Sequence, residues 1–419
     1  TAQVTVEALD ALNNEVPLTS LNVTVSPDGS TVSPVAFLNG AASFTVTFST
    51  AGTFNITATS APLSTNSGPI VVGAAPPPTP PTKNLTGTFA LGTGNNGSPT
   101  VSIFNGDGSP LTSFIPFPPG FNNEVDPTSG GFTGGIRVAV GDVTGDGVAD
   151  YVVGTGPGIT ATVVVIDGHT GQKILTYFPF DTFQGGVFVA VGDVNHDGVD
   201  EIAITPDQGG GPRVVLLNGG NFNRIGNFFG INDPGFRGGA RAAIGDINGD
   251  GFSELVVSAG FGGGPRISVF DGAALARGVL AHPVGDFFLF DPSLRNGAYV
   301  AVGDVNADGF ADIIGGAGPG GGPQVYVVSG KTLLQQGPVA AVDAPLANFF
   351  GGDPNNRGGI PVAAKNIDGD NFADILVGAG DGGGATAAMY RGVDVTAGNI
   401  NPDFEINALP GYSGGVFVG

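Results

Sequence analysis

Short carboxylates recur at alternate positions of five loops in this chain. In "GDVNADGFAD", residues 303–312, Asp304, Asn306, Asp308 and Asp312 stand at positions one, three, five and nine, with Gly309 at position six. Oxygens spaced in this way suit a hard cation, because Ca²⁺ takes about 6–8 oxygen ligands and a tight loop brings alternate side chains to one point. Positions one, three and five would converge on the ion, position seven would offer its main-chain carbonyl, and position nine would close the shell. A glycine at position six permits the sharp turn.

Four further loops have the same form. They are Asp142, Thr144, Asp146, Val148 and Asp150; Asp193, Asn195, Asp197, Val199 and Glu201; Asp246, Asn248, Asp250, Phe252 and Glu254; and Asn366, Asp368, Asp370, Phe372 and Asp374. Phe310 fills position seven of the loop at 304. A single match reads equally well as a solvated Asx-turn, but five in register point to about five bound Ca²⁺ ions. Each loop carries three of the chain's 36 acids, so the formal charge of −22 is largely the mark of these loops. The loop at 366 departs most, with Asn366 at position one and Asn371 in place of glycine; Asn tolerates the left-handed turn, so a weaker site is expected there. An EF-hand is the rival cation reading. It fails because no Glu stands at position twelve of any loop and strands rather than helices flank it.

The elements that carry these loops repeat. A unit reading roughly GG-x-x-VAVGDV-x-x-DG-x-x-D, then GAG-x-GGGP, then VxVxDG, then an FF-containing strand, begins near residues 134, 185, 238, 296 and 358. Each unit holds about four short strands, the content of one propeller blade. Residues 85–135 supply the later strands of a sixth unit, and "GGVFVG", residues 414–419, supplies its opening strand. The expected fold is all-β: a six-bladed propeller over 85–419, closed by 414–419. These units resemble FG-GAP repeats, the calcium-loop blades of integrin alpha-subunit propellers and of many bacterial surface proteins. Gly-Gly replaces the literal Phe-Gly of that pattern, and forms such as Gly316-Ala317-Gly318 replace Gly-Ala-Pro. The resemblance implies a propeller and an adhesive or structural role.

Residues 1–73 alternate apolar with polar or small residues in "QVTVEALDAL", "LNVTVSPDG", "AASFTVTFSTAG" and "TFNITATS". They resemble a small bacterial immunoglobulin-like β-sandwich that lacks its first strand. The proline-rich stretch 74–84 reads as an extended spacer.

Composition narrows the function classes. Lys and Arg number 14 and form no basic run, so nucleic acid is not expected as a partner. With no Cys, thiolate metal sites, disulfides and cysteine nucleophiles are excluded. No apolar run is long enough for a membrane span. The glycine runs lack the Lys-Ser/Thr of a phosphate loop and read as strand-to-strand turns. His169 falls in a turn, His196 inside an acidic loop, and only His282 remains; no catalytic signature accompanies them. Phe228-Phe229, Phe287-Phe288 and Phe349-Phe350 read as blade-packing aromatics, with sugar stacking as the alternative.

The function expected is that of a non-enzymatic, secreted or cell-surface calcium protein of bacterial type, structural or adhesive. Self-association into a filament, through strand exchange or the N-terminal domain, and a glycan or surface-protein ligand are the partner expectations. The alternative is a lectin-like propeller or a polysaccharide-active enzyme.

Overall fold

The computed structural model describes residues 87–118, 120–121 and 132–419, together with the strands between residues 2 and 72. The chain divides into two compact units, Thr1–Lys83 and Asn84–Gly419. In the first, Ala41–Phe48 pairs with Ala2–Val6, Ser30–Val32 and Ala36–Leu38, and Gly52–Ser60 pairs with Asn22–Ser26 and Leu63–Val72, all antiparallel. The packing of these sheets, on which the immunoglobulin-like expectation depends, lies outside the described residues, as does the 74–84 spacer.

The second unit is a six-bladed β-propeller, each blade a four-stranded antiparallel meander. The first whole blade runs Ile136–Gly141, Asp150–Thr155, Val163–Ile166 and Lys173–Tyr177 from the axis outward. The next four begin with inner strands Val187–Gly192, Ala240–Gly245, Ala298–Gly303 and Val362–Lys365. The composite blade takes three strands from Thr88–Thr93, Val101–Asn105 and Pro110–Phe114 and its inner strand from Val416–Val418. Leu91 pairs with Val418 and Thr93 with Val416, and Ala90 and Gly419 exchange main-chain hydrogen bonds of 2.8 and 3.0 Å. The two ends of the propeller segment therefore share one sheet.

Second strands such as "DYVVGT", "EIAITP" and "ELVVSA" are buried along their whole length because neighbouring blades cover both faces. Between the first two whole blades, Val152, Val163 and Val165 pack with Val187, Ile202 and Ile204 in one apolar cluster. Outer strands such as Arg224–Phe229 alternate exposed and half-buried residues, as a strand with one solvated face should. In the paired phenylalanines the first ring turns inward, Phe287 and Phe349 being 7% and 4% exposed. The second ring, Phe229, Phe288 or Phe350, remains outside at 43%, 43% and 58%.

The glycine just ahead of each inner strand, itself preceded by a second glycine except at Asn296-Gly297, answers a steric demand. Gly186 has φ +87°, and a Cβ there would sit 2.7 Å from the carbonyl carbon of Gly156 in the preceding blade. A side chain at Gly186, the counterpart of the glycine in Phe-Gly, would hold adjacent blades apart; at Gly185, in the phenylalanine's place, a Cβ would meet the Gln208 carbonyl oxygen at 2.6 Å.

Closure can be tested at its strand. Val418 is 8% exposed, so Val418→Asp buries an unpaired charge in the shared sheet and is expected to lower unfolding free energy by roughly 3 kcal/mol or more. Val339, 75% exposed, serves as control, and Val339→Asp should stay within about 0.5 kcal/mol in the same denaturant titration.

Candidate metal centres

All five acidic loops connect the inner strand of a blade to its second strand. The carboxylate at position nine is the first residue of that second strand, and in every loop it is fully buried: Asp150, Glu201, Glu254, Asp312 and Asp374 are each 0% exposed. Each receives the amide of position two, at 3.0, 2.9, 2.8, 3.0 and 2.9 Å in loop order. Each also receives the amide of a glycine eighteen residues ahead, in the turn after the third strand, namely Gly168, Gly219, Gly272, Gly330 or Gly392. One side chain thus binds three segments of its blade.

The position-one carboxylate organises the turn. Asp142 accepts from Gly145 (2.7 Å), Asp146 (3.2 Å) and Gly147 (2.7 Å), and Asp246 repeats the set with Gly249, Asp250 and Gly251. Asp193 and Asp304 accept from the amides of positions five and six. At position five, Asp146, Asp197, Asp250, Asp308 and Asp370 each accept from the amide of position seven, held respectively by Val148, Val199, Phe252, Phe310 and Phe372. Position three is filled by Thr144, Asn195, Asn248, Asn306 and Asp368; Asn248, Asn306 and Asp368 accept from the amide of position five.

Burial raises the position-nine carboxyls, and the other acids of the loop raise them further. Glu254 and Asp312 are pushed up to about 7 and Glu201 to about 6, while Asp150 and Asp374 rise as well. Among the described residues no basic side chain pairs with these five carboxyls, although Lys331 Nζ lies 3.8 Å from Asp308 of the fourth loop.

The residues fit a hard cation by donor type: oxygen donors alone, three carboxylates to a loop. One atom also asks for a partner. Asn195 Oδ1, at position three of the second loop, is buried with no hydrogen-bond donor, its Nδ2 being spent on Glu201 at 2.8 Å. Among the described residues, however, no three Asp, Glu or His side chains are drawn together tightly enough to enclose an ion, since position nine turns inward to the amides. The fifth loop differs again. Arg391, from the turn after the third strand, donates through Nε to Asp368 at 2.7 Å and lies 3.9 Å from Asp370, so an internal cation already faces this pair. Asn366 at its position one donates to the Asp370 carbonyl.

A further contact was not visible in the sequence. The main-chain carbonyl of position one accepts from the amide of position eight in the next loop: Asp200 to Asp142 (2.8 Å), Ser253 to Asp193 (2.9 Å), Ala311 to Asp246 (2.9 Å) and Ala373 to Asp304 (2.7 Å). Consecutive loops are therefore linked blade to blade. The repeat spacing hinted that they share a rim, but main-chain atoms leave no residue signature.

The family model described as FG-GAP-like repeat matches residues 193–257, a stretch that includes the second loop and the third up to its position-nine Glu254. Integrin alpha-5 of Xenopus laevis is 27% identical over 272 residues, covering 57% of this chain and 24% of that protein. Integrin alpha-V of Gallus gallus is 29% identical over 246 residues, covering 51% and 22%. The chain thus spans less than a quarter of the length of these relatives. Among solved structures, a chain of a nidogen/laminin complex overlaps 79% of this chain and 97% of its own with 12% identity and a TM-score of 0.44. An exotype rhamnogalacturonan lyase overlaps 85% of this chain and 57% of its own with 13% identity and a TM-score of 0.37.

The position-nine carboxylate is open to direct test. Asp312→Asn keeps the shape but sets an NH₂ against an amide donor, and should cost about 2–3 kcal/mol in unfolding free energy. The pH dependence follows from the raised values. A carboxyl whose folded pKa lies above its unfolded one contributes stability below the unfolded value, and that contribution is lost as pH rises through the folded one. In chelator, the melting temperature should therefore fall between pH 4.5 and 7.5, through the values near 6 and 7 of Glu201, Glu254 and Asp312.

Proposed function

We propose that this chain is a non-enzymatic, calcium-stabilised propeller of the cell surface or extracellular space, with an adhesive or structural role, carried before its propeller by a small immunoglobulin-like domain. The observation that carries the proposal is the five-fold recurrence of one acidic loop with the same buried position-nine anchor. The FG-GAP-like match and the integrin alpha relatives support an adhesion-type role. Among the described residues no helix is long and apolar enough to cross a membrane. A bacterial source and export to the surface belong to the same proposal.

In this reading, positions one, three and five of each loop hold the ion with the carbonyl of position seven. Calcium would supply the countercharge that the position-nine carboxyls lack. Position nine would act as the buried brace behind that shell or rotate to complete it. The first four loops would bind more tightly than the fifth, where Arg391 competes. The C-terminal strand is already paired within its own propeller, so self-association into a filament would run through the N-terminal unit.

Chelation tests the metal directly. Excess EDTA should lower the melting temperature markedly and added Ca²⁺ should restore it, because a ligand bound only by the folded state stabilises by mass action. An unchanged transition would remove calcium from the proposal. In calorimetric titration the wild type should show four strong sites and a weaker fifth, and Arg391→Gln should strengthen that fifth site about ten-fold by relieving the competing charge. Electron microscopy at rising concentration tests assembly, and monomeric particles throughout would count against the filament.

A further inference from the structure

The second residue of each inner strand points to the axis at one mouth of the propeller, and around the ring these residues alternate. In blade order they are Phe417, Arg137, Phe188, Arg241, Tyr299 and Pro361, the last just ahead of its strand. Arg137 lies between two rings, its guanidinium carbon 4.6 Å from the Phe417 centroid and 4.9 Å from that of Phe188. Arg241 lies between the next two, 5.2 Å from Phe188 and 4.0 Å from Tyr299. Two guanidiniums and three aromatics thus form one stacked arc, the cations over the electron-rich faces. They line a cavity of about 290 Å³.

The charges in this arc are not balanced. Both arginines are 5% exposed in a chain of net charge −22. Arg137 Nη2 bonds Asp207 at 2.5 Å, but its Nε and Nη1 are buried without an acceptor. Arg241 donates to the neutral carbonyl of Ala298 from Nη1 at 3.1 Å and is hydrogen-bonded to the Tyr299 hydroxyl, while its Nε has no acceptor. Asp381 also lines the cavity yet forms no ion pair with either arginine. A buried cation held by ring faces and neutral oxygens retains most of its need for an anion.

We propose that this axial cavity binds a small organic monocarboxylate, with Arg241 as its charge partner and the rings of Phe188, Tyr299 and Phe417 against its body. A bare inorganic anion would leave those ring faces uncovered, and a neutral molecule would leave Arg241 unpaired. Of the two carboxylates on the lining, Asp207 bonds Arg137 and Asp381 bonds neither arginine, so Arg241 has no direct anionic partner. The planar fork of Arg suits a carboxylate.

Calorimetric titration of the whole calcium-loaded chain at low salt tests this with glucuronate, N-acetylglycine, glucose and inorganic phosphate as probes. Binding of either carboxylate, with glucose and phosphate at least about ten-fold weaker, is expected, that being the worth of one charge-assisted pair. The tighter of the two carboxylates then tells a sugar source from a peptide one. Arg241→Met should weaken the carboxylate by about ten-fold or more. Gln208 is exposed on the rim of the same cavity, so Gln208→Glu should weaken binding several-fold through repulsion while leaving the melting temperature unchanged. This variant keeps the test alive if Arg241→Met does not fold. The proposal is overturned if no carboxylate binds at tens of millimolar, if glucose or phosphate binds as well as the tighter of the two carboxylates, or if Gln208→Glu leaves carboxylate binding intact.

Discussion

The propeller depends on five carboxylates taken out of water at the start of the second strand in five of its six blades. Burying a carboxylate is costly unless its oxygens are fully engaged, and here each engages backbone amides from two separate turns of its blade. The bond to position two shapes the loop, and the bond to the glycine eighteen residues ahead fixes the distance between that loop and the third strand. An apolar residue could fill the volume but could not satisfy these donors. The same group therefore explains why each loop ends in Asp or Glu and why each third strand runs into a turn with glycine at one fixed place.

From that anchor the remaining order follows. With position nine held, position one can close the turn on its own carboxylate and present its carbonyl to the next blade, where the amide of position eight meets it. The blades are joined in this way at the loop rim, by apolar clusters through their middle, and at the opposite mouth by stacked rings and guanidiniums. The rim concentrates fifteen acids, whose mutual repulsion opposes the compact state. A divalent cation in each loop would reverse that term, and in the fifth blade Arg391 already does part of the work.

Much of this was legible as pattern. The repeat, the four strands per unit, the six blades and the pairing of "GGVFVG" with the strands after residue 87 could be read because a blade's register is written in period-two alternation and in turn residues at fixed offsets. The loop residues were legible for the same reason. Their division of labour was not. By spacing alone, position nine closes a metal shell, whereas in the folded chain Asp150 and its counterparts face inward to amides that lie eighteen residues away in sequence. Arg391 as a rival cation was hidden too, since the residue at that point of the other units is Asp167, Asn218, Asp271 or Ser329 and nothing marks the change as meaningful until the turn folds over its loop.

The amino-acid sequence by itself determined the all-β class, the blade count, the point of closure and the identity of the acidic loops, because these rest on local periodicity and short-range spacing. Tertiary structure alone decided which oxygens are spent on the backbone, how each loop hands a hydrogen bond to the next, and that Arg137, Phe188, Arg241, Tyr299 and Phe417 meet on one axis. Those residues are separated by about fifty positions or more, and their contacts exist only because ring closure converts one repeated place in the unit into neighbouring places in space.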